Sequence, residues 1–328
     1  MAARLPRRLA WLTVGALALV MTLGNIVSAT GSGLGCPDWP LCHGRVIPPG
    51  GAEIWIEFRH RLAVPLFSAL LVATAVVTWR RAAAPALRRL AAALVGLLVV
   101  QIALGGVTVL LGLSPLVSTV HLLTALFVLA GLVTICAVPD TPALPEPRLA
   151  RFATVGLAVL LTQLALGGYV RHSGAGLACP DFPLCSGDVF PGHWLGWVHW
   201  LHRWLGVLLL GFFLHLARAS RRTALAGAGA AVAGLAVAQV TLGILAVLLR
   251  LPIPVRATHA VVGYALWALL VWIAVRAGAA GANLGSGSII GPLGSPSALP
   301  RQTTDPLGSP SAAPRQTTAA RRRSMGPE

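Results

Sequence analysis

Residues 33–44 read GLGCPDWPLCHG, and residues 176–187 spell nearly the same segment again as GLACPDFPLCSG. Cys36 and Cys179 lie 143 residues apart, as do Cys42 and Cys185. A twelve-residue segment returning almost intact marks a duplicated architecture, and the match extends outward on both sides. Behind the first copy comes EFRHRL, with Glu57, His60 and Arg61; behind the second comes HWLHRW, with His199, His202 and Arg203. Farther on, Gln101 in QIALGG pairs with Gln239 in QVTLGI, and His121 in STVHLL pairs with His259 in ATHAVV, both at a separation of 138. The repeat keeps one histidine and its following arginine, but exchanges the carboxylate of Glu57 for the imidazole of His199.

What separates the copies is apolar. Of 328 residues 56% are hydrophobic and only 10% charged, with a mean hydropathy of +0.79, far outside the range of soluble domains. Stretches long enough to cross a hydrocarbon core of about 30 Å at 1.5 Å per residue fall near residues 10–27, 60–79, 89–111, 117–138, 152–170, 199–217, 224–249 and 256–277. The chain is therefore expected to be an all-α integral membrane protein with eight transmembrane helices in two pseudo-symmetric four-helix bundles. Because each half has an even number of spans, both enter from the same side, a parallel rather than an inverted repeat. The expected divisions are residues 1–139, residues 140–280 and a tail, 281–328.

A formal charge of +16 suggests a nucleic-acid partner, but the positions of the arginines argue against one. Arg4, Arg7 and Arg8 precede the first span; Arg80, Arg81, Arg88 and Arg89 join the second and third; Arg148 and Arg151 join the fourth and fifth; Arg218, Arg221 and Arg222 join the sixth and seventh. Charge falling mainly in alternate loops is the positive-inside pattern, which puts both termini in the cytoplasm and the cysteine loops on the outer face. Arg7, Arg8, the apolar run and Ser28-Ala29 also resemble a cleavable leader. The repeat argues for retention, since the first span leads into its cysteine loop as the fifth does. The tail repeats PLGSPSALPRQTT as PLGSPSAAPRQTT and ends near Arg321, Arg322 and Arg323. It has too little apolar surface to offset the entropy of ordering it, and reads as a disordered cytoplasmic extension attracted at most to anionic membrane lipid.

Spans two and four of each half run from outside to inside, and His60, His121, His202 and His259 are expected within the first turn or two of theirs. Each half then presents two histidines at similar depth on two helices, able to bind one metal axially from opposite sides. Haem iron suits this better than zinc, which prefers four tetrahedral ligands. Arg61 and Arg203 are expected to clamp propionates through their forked donors. His43, His172 and His193 read as solvated loop residues, and His215 lies near the inner end of span six. His199 shares a face with His202 and is ranked below it as a ligand. In an oxidising compartment, Cys36 with Cys42 and Cys179 with Cys185 read as two disulfides; a redox role and a shared four-thiolate zinc site are the alternatives. Cys136 has no partner in sequence and reads as a packing residue.

Taken together, the two four-span halves, SGLGCPDWPLCHG, EFRHR at 57–61 and the paired histidines resemble the haem A synthase family of bacterial respiratory membranes, over roughly residues 10–277. The family oxidises a methyl substituent of haem O to a formyl group, giving haem A for terminal oxidases. The resemblance implies that His202 and His259 ligate a resident haem b, that His60 and His121 hold the haem O substrate, and that Glu57 is the acidic residue beside it. A cysteine pair in both halves departs from family members with a single pair. Successive hydroxylation of the methyl group, with Glu57 as proton acceptor or stabiliser of developing positive charge, is the mechanism the asymmetry suggests.

Two readings from other classes compete. A dihaem b electron-transfer cytochrome would hold two permanent haems and be indifferent to Glu57. A transporter using histidines as transient ligands is disfavoured by the lack of Gly- or Pro-broken helices at midplane. Haem O synthase, periplasmic thiol-redox proteins and a second copy in a homo-oligomer are the protein partners to consider.

Overall fold

The computed structural model describes residues 4–138 and 145–278; the tail expected from residue 281 lies outside the described residues. Eight long helices account for nearly all of it: α1 (Arg4–Thr30), α2 (Ala52–Arg81), α3 (Pro85–Leu110), α4 (Pro115–Ala137), α5 (Pro147–His172), α6 (Trp194–Ser220), α7 (Ala226–Leu248) and α8 (Ile253–Ala277). All eight are long and apolar enough to cross a membrane, and this is a multi-pass membrane protein.

Local chemistry sets the boundaries. Pro85, Pro115 and Pro147 open their helices, where a fixed φ suits the first turn and the missing N–H has no helical partner to lose. Gly31 and Gly174 end α1 and α5 in the left-handed conformation, at φ 75° and 73°. Each then turns through one short 3-10 segment into its cysteine loop. The helices begin earlier than the expected spans: α2 starts at Ala52, directly after Gly51, and α6 at Trp194, where the His193 side chain caps the first turn. His60 and His202 therefore lie just past the second turn, deeper than expected, while His121 and His259 stay within the first two turns. His60 and His202 sit eight residues into their helices, and His121 and His259 six residues in, about 12 Å and 9 Å from the helix starts.

Helices α1 to α4 pack in a ring, α1 on α2, α2 on α3, α3 on α4 and α4 on α1; α5 to α8 form a second ring with the same order. The rings meet through α4 against α5 and α8, and α1 against α8. Leu126, Leu132, Phe213, Leu216 and Leu270 are fully buried, whereas Leu62, Leu66 and Leu208 point outward from α2 and α6 as lipid-facing residues do. Polar contacts tie the helices together: Thr13 to Thr74 across α1 and α2 at 2.7 Å, and Trp267 Nε1 to the Leu126 carbonyl across α8 and α4 at 2.9 Å. Cys136 is buried and unpaired among apolar neighbours.

Candidate functional site

Both cysteine pairs are closed as disulfides, Cys36 to Cys42 and Cys179 to Cys185, so their four sulfurs are not available to a shared zinc. Each loop turns on an aspartate. Asp38 accepts from the backbone N–H of His43 (2.6 Å) and Gly44 (2.7 Å), and Asp181 from Ser186 (2.7 Å) and Gly187 (2.8 Å). These hold His43 and Ser186 at positive φ. The N–H of Gly44, and after it that of His43, keeps the Asp38 carboxyl below its ordinary range against an opposing effect of desolvation; Gly187 and Ser186 do the same for Asp181.

A second tether reaches each loop from the helix behind it. Glu57 is almost fully buried; one oxygen accepts from the Cys36 N–H at 2.8 Å and the other from Arg61 at 2.5 Å. Arg61 also donates to the carbonyls of Asp38, Leu41 and Cys36, each at 2.7 Å. In the second half His199 stands in for Glu57: its Nδ1 faces the Cys179 N–H at 3.3 Å and its Nε2 faces Arg203 Nε at 3.1 Å. Arg203 donates to the carbonyls of Asp181, Leu184 and Cys179. A carboxylate accepts both donors at once, but a neutral imidazole accepts at one nitrogen only. The first latch is thus fully satisfied and the second is not. The clamp expected to close on propionates closes here on the loops.

Trp39, in the first loop, lies flat against Gly106 of α3, where a Cβ would come 2.9 Å from the indole. The matching residues are Phe182 and Ile244; Phe182 instead lies beneath the Arg203 guanidinium, 5.9 Å from ring centre to Cζ.

Beneath the loops, each of the four histidines rests on a glycine. A Cβ on Gly24 would lie 3.0 Å from His60 Cε1, on Gly105 3.2 Å from His121, on Gly167 2.7 Å from His202 and on Gly243 3.2 Å from His259. His60 Nδ1 lies 3.1 Å from the Val20 carbonyl, which can only accept, so Nδ1 carries the proton and Nε2 keeps its lone pair for a ligand. His121 and His259 each have a glutamine amide at Nε2, Gln101 at 3.4 Å and Gln239 at 3.2 Å. The Nδ1 atoms of His121, His202 and His259 are buried without a protein partner. His202 and His259 face each other with ring centres 6.4 Å apart and planes at 77°. With metal–imidazole bonds of roughly 2 Å, two rings on opposite sides of one ion have centres about 6 Å apart. His60 and His121 are within electrostatic reach of each other. Among the described residues no cluster of three or more His, Cys, Asp or Glu could hold a metal ion, and the two-imidazole donor set of each pair is one that would suit haem iron better than a four-ligand zinc.

Three other histidines have defined places. His193 caps α6 by accepting from the Gly196 N–H at 3.1 Å; His43 bonds the Gly35 carbonyl at 2.9 Å; His215 packs edge-on against Phe152. His172, expected in solvated loop, is instead the half-buried last residue of α5, within electrostatic reach of His121.

The family described as cytochrome oxidase assembly protein matches residues 7–271. A haem A synthase of Alkalihalophilus pseudofirmus is 36% identical over 216 residues, covering 62% of this chain and 72% of that protein. The chain belongs to the haem A synthase family. Haem A synthases of Bacillus pumilus (32% identical over 218 residues, 62% of this chain and 71% of that protein) and Shouchella clausii (34% over 217 residues, 62% and 72%) match it as well. In this haem A synthase family member the paired histidines and both latches lie within the matched stretch.

Sequence reasoning overlooked three polar residues near the histidines. Gln163 donates to the His202 carbonyl at 2.8 Å, where the first half has Val20. Arg171 and Arg256 reach from α5 and α8 to α1. The signal was available: at the separations of 143 and 138 these arginines align with Ser28 and Ser118, a change of charge inside the repeat.

Proposed function

We propose that this protein oxidises a methyl group of haem O to the formyl group of haem A by successive hydroxylations, supplying terminal oxidases. The carrying observation is a pair of histidines per ring of helices, each on a glycine and three of them with a buried, unpartnered Nδ1, in a member of the haem A synthase family. His60 and His121 hold the haem O substrate; His202 and His259 hold a resident haem b, which when bound supplies one-electron redox chemistry. The cysteine loops face the outside of a bacterial plasma membrane and the arginine-rich connections face the cytoplasm.

Within this reading the chain's own residues orient, enclose and accept protons. The glycines let imidazole edges sit against helix backbones, fixing the ligands in place. The disulfide loops, anchored by Arg61 and Arg203, cover the outer ends of the two sites and limit water entry. Glu57, two turns or so into α2 and three residues before His60, is the acceptor nearest the substrate ligand on that helix. Oε2 of Glu57 accepts from the Cys36 N–H and keeps one lone pair, so the oxygen that would act on substrate is the one tied to the loop.

The test is extraction and chromatographic identification of the haems bound after expression with and without a source of haem O. Haem A or hydroxylated intermediates appearing only with haem O support the reading. Unmodified haem b and haem O alone, in a folded protein with a reducible haem, support a dihaem electron-transfer cytochrome. One observation leans that way: His199 performs the same loop-holding as Glu57, so a carboxylate at this place is not explained by chemistry alone.

A further inference from the structure

Arg171 and Arg256 are half-buried between the two rings of helices, near the loop-bearing ends of α5 and α8. Arg171 Nε donates to Ser28 Oγ at 2.7 Å, Nη1 to Asn25 Oδ1 and Nη2 to the Asn25 carbonyl at 2.5 Å; Asn25 in turn donates to the Ala257 carbonyl at 2.8 Å. Arg256 donates only from Nη2, to the Ala29 carbonyl at 2.8 Å, and its Nε is buried with no partner. Arg171 is within electrostatic reach of Arg256, of Tyr264 and of His259. Arg256 lies three residues before His259 on α8, on the same face.

Among the described residues no acid is paired with these charges. Helices α1, α4, α5 and α8 contain neither Asp nor Glu. Two like charges packed between helices near the ends of their spans, answered only by neutral acceptors, are costly, and the usual resolution is an anionic partner. The first ring offers nothing comparable: the matching positions are Ser28 and Ser118, and the Ser118 hydroxyl is buried without a partner. Arg61 and Arg203 do not compete for this role, because their donors are engaged by the cysteine loops.

We infer that Arg171 and Arg256 form the carboxylate-binding edge of the porphyrin site between His202 and His259. This rests on the proposed reading that a haem occupies that pair. It also separates the two sites physically. A porphyrin held by two histidines and charge-assisted bonds to its carboxylates stays; one held at His60 and His121, where serines replace both arginines, exchanges. The difference expected of a resident group and a substrate is written into two arginine-for-serine changes.

The experiment uses the full chain in detergent, with haem removed and restored as either haem b or its dimethyl ester, which lacks the carboxylates. The unaltered protein should release haem b to an excess of apomyoglobin roughly tenfold or more slowly than the ester. Arg256→Gln should bring the two rates together by speeding release of haem b alone, with the low-spin bis-histidine spectrum retained. Arg171→Gln should do the same unless loss of its bonds to Asn25 unfolds the protein, which is why Arg256→Gln is the primary variant. Ser118→Arg should slow release from the first pair, read in a His202→Ala background. Equal release of acid and ester from the unaltered protein overturns the inference while leaving the haem reading intact. So does a loss of co-purified phospholipid, rather than of haem b, in Arg256→Gln, because the anion is then a lipid phosphate. If His202→Ala and His259→Ala leave haem content unchanged, the underlying reading of the second site fails instead.

Discussion

The two outer mouths of this protein are built to one plan and finished differently. Both have a disulfide loop, an aspartate turn and an arginine holding three loop carbonyls. In the first, a buried carboxylate completes the latch and an indole lies on a glycine; in the second, an imidazole completes it imperfectly and two arginines stand nearby without an acid. The shared plan maintains structure, since it survives duplication. The differences are of charge and shape, and under the proposed function they mark the positions at which the two halves would differ in task.

The sharpest way to break the comparison is to fill the glycine cradles. Gly167→Ala places a Cβ 2.7 Å from His202 Cε1, against 3.0 Å for Gly24→Ala and His60, and neither imidazole edge can pass through backbone. Gly167→Ala is expected to remove haem from the second pair altogether, whereas Gly24→Ala only weakens the first. Haem-to-protein ratios by pyridine haemochrome would show it, and full occupancy in Gly167→Ala would refute the cradle.

Next in size is the latch. Arg61→Ala leaves the Glu57 carboxylate buried beside a lone backbone N–H and should cost about 3 kcal/mol. Arg203→Ala leaves only a neutral imidazole and should cost about 1 kcal/mol. Thermal unfolding of both in one detergent measures the difference, and adding Glu57→Gln to Arg61→Ala should recover part of the loss. Equal destabilisation would mean that carboxylate and imidazole are interchangeable.

Smaller still is the Trp39 contact. Gly106→Ile, which copies Ile244 of the second half, should lift the indole and raise hydrogen exchange across residues 37–51 several-fold, with the helices unchanged. Ile244→Ala should leave the second loop's exchange unaltered. An unprotected first loop in the unaltered protein would remove the contact's significance.

The smallest effect belongs to the aspartate turns. Because the N–H groups of Gly44 and His43 lower the folded-state value of Asp38 below its ordinary 3.8, the stabilisation is complete above that value and is lost as pH falls through the lowered one. Loop exchange should therefore rise only in strong acid, and Asp38→Asn should flatten the profile. Asp181 should behave alike, since its turn is the same. A transition near neutral pH would contradict this origin.

Much of the site could be read from residues alone, and the limits are instructive. His60, His121, His202 and His259 stood out because ionisable residues in apolar runs are few and the repeat paired them. Their ring-on-glycine seats were half visible, since Gly24 aligns with Gly167 and Gly105 with Gly243, yet which histidine each glycine meets is a fact of helix packing. The arginines misled for a related reason. Arg61 and Arg203 sit beside histidines in sequence, so a role at the porphyrin edge looked natural; a long side chain, however, reaches back as easily as inward, and the loop carbonyls met it first.

Sequence by itself determined eight apolar spans, the duplication and the paired histidines, because span length, repeat spacing and charge placement are properties of the chain read locally. That Glu57 and His199 brace the loops, and that Arg171 meets Asn25 across 146 residues of chain, emerges from helix packing. The reason is physical: hydrophobic length is enough to make a helix span, but the partner of a buried charge is chosen by which helix faces are brought together.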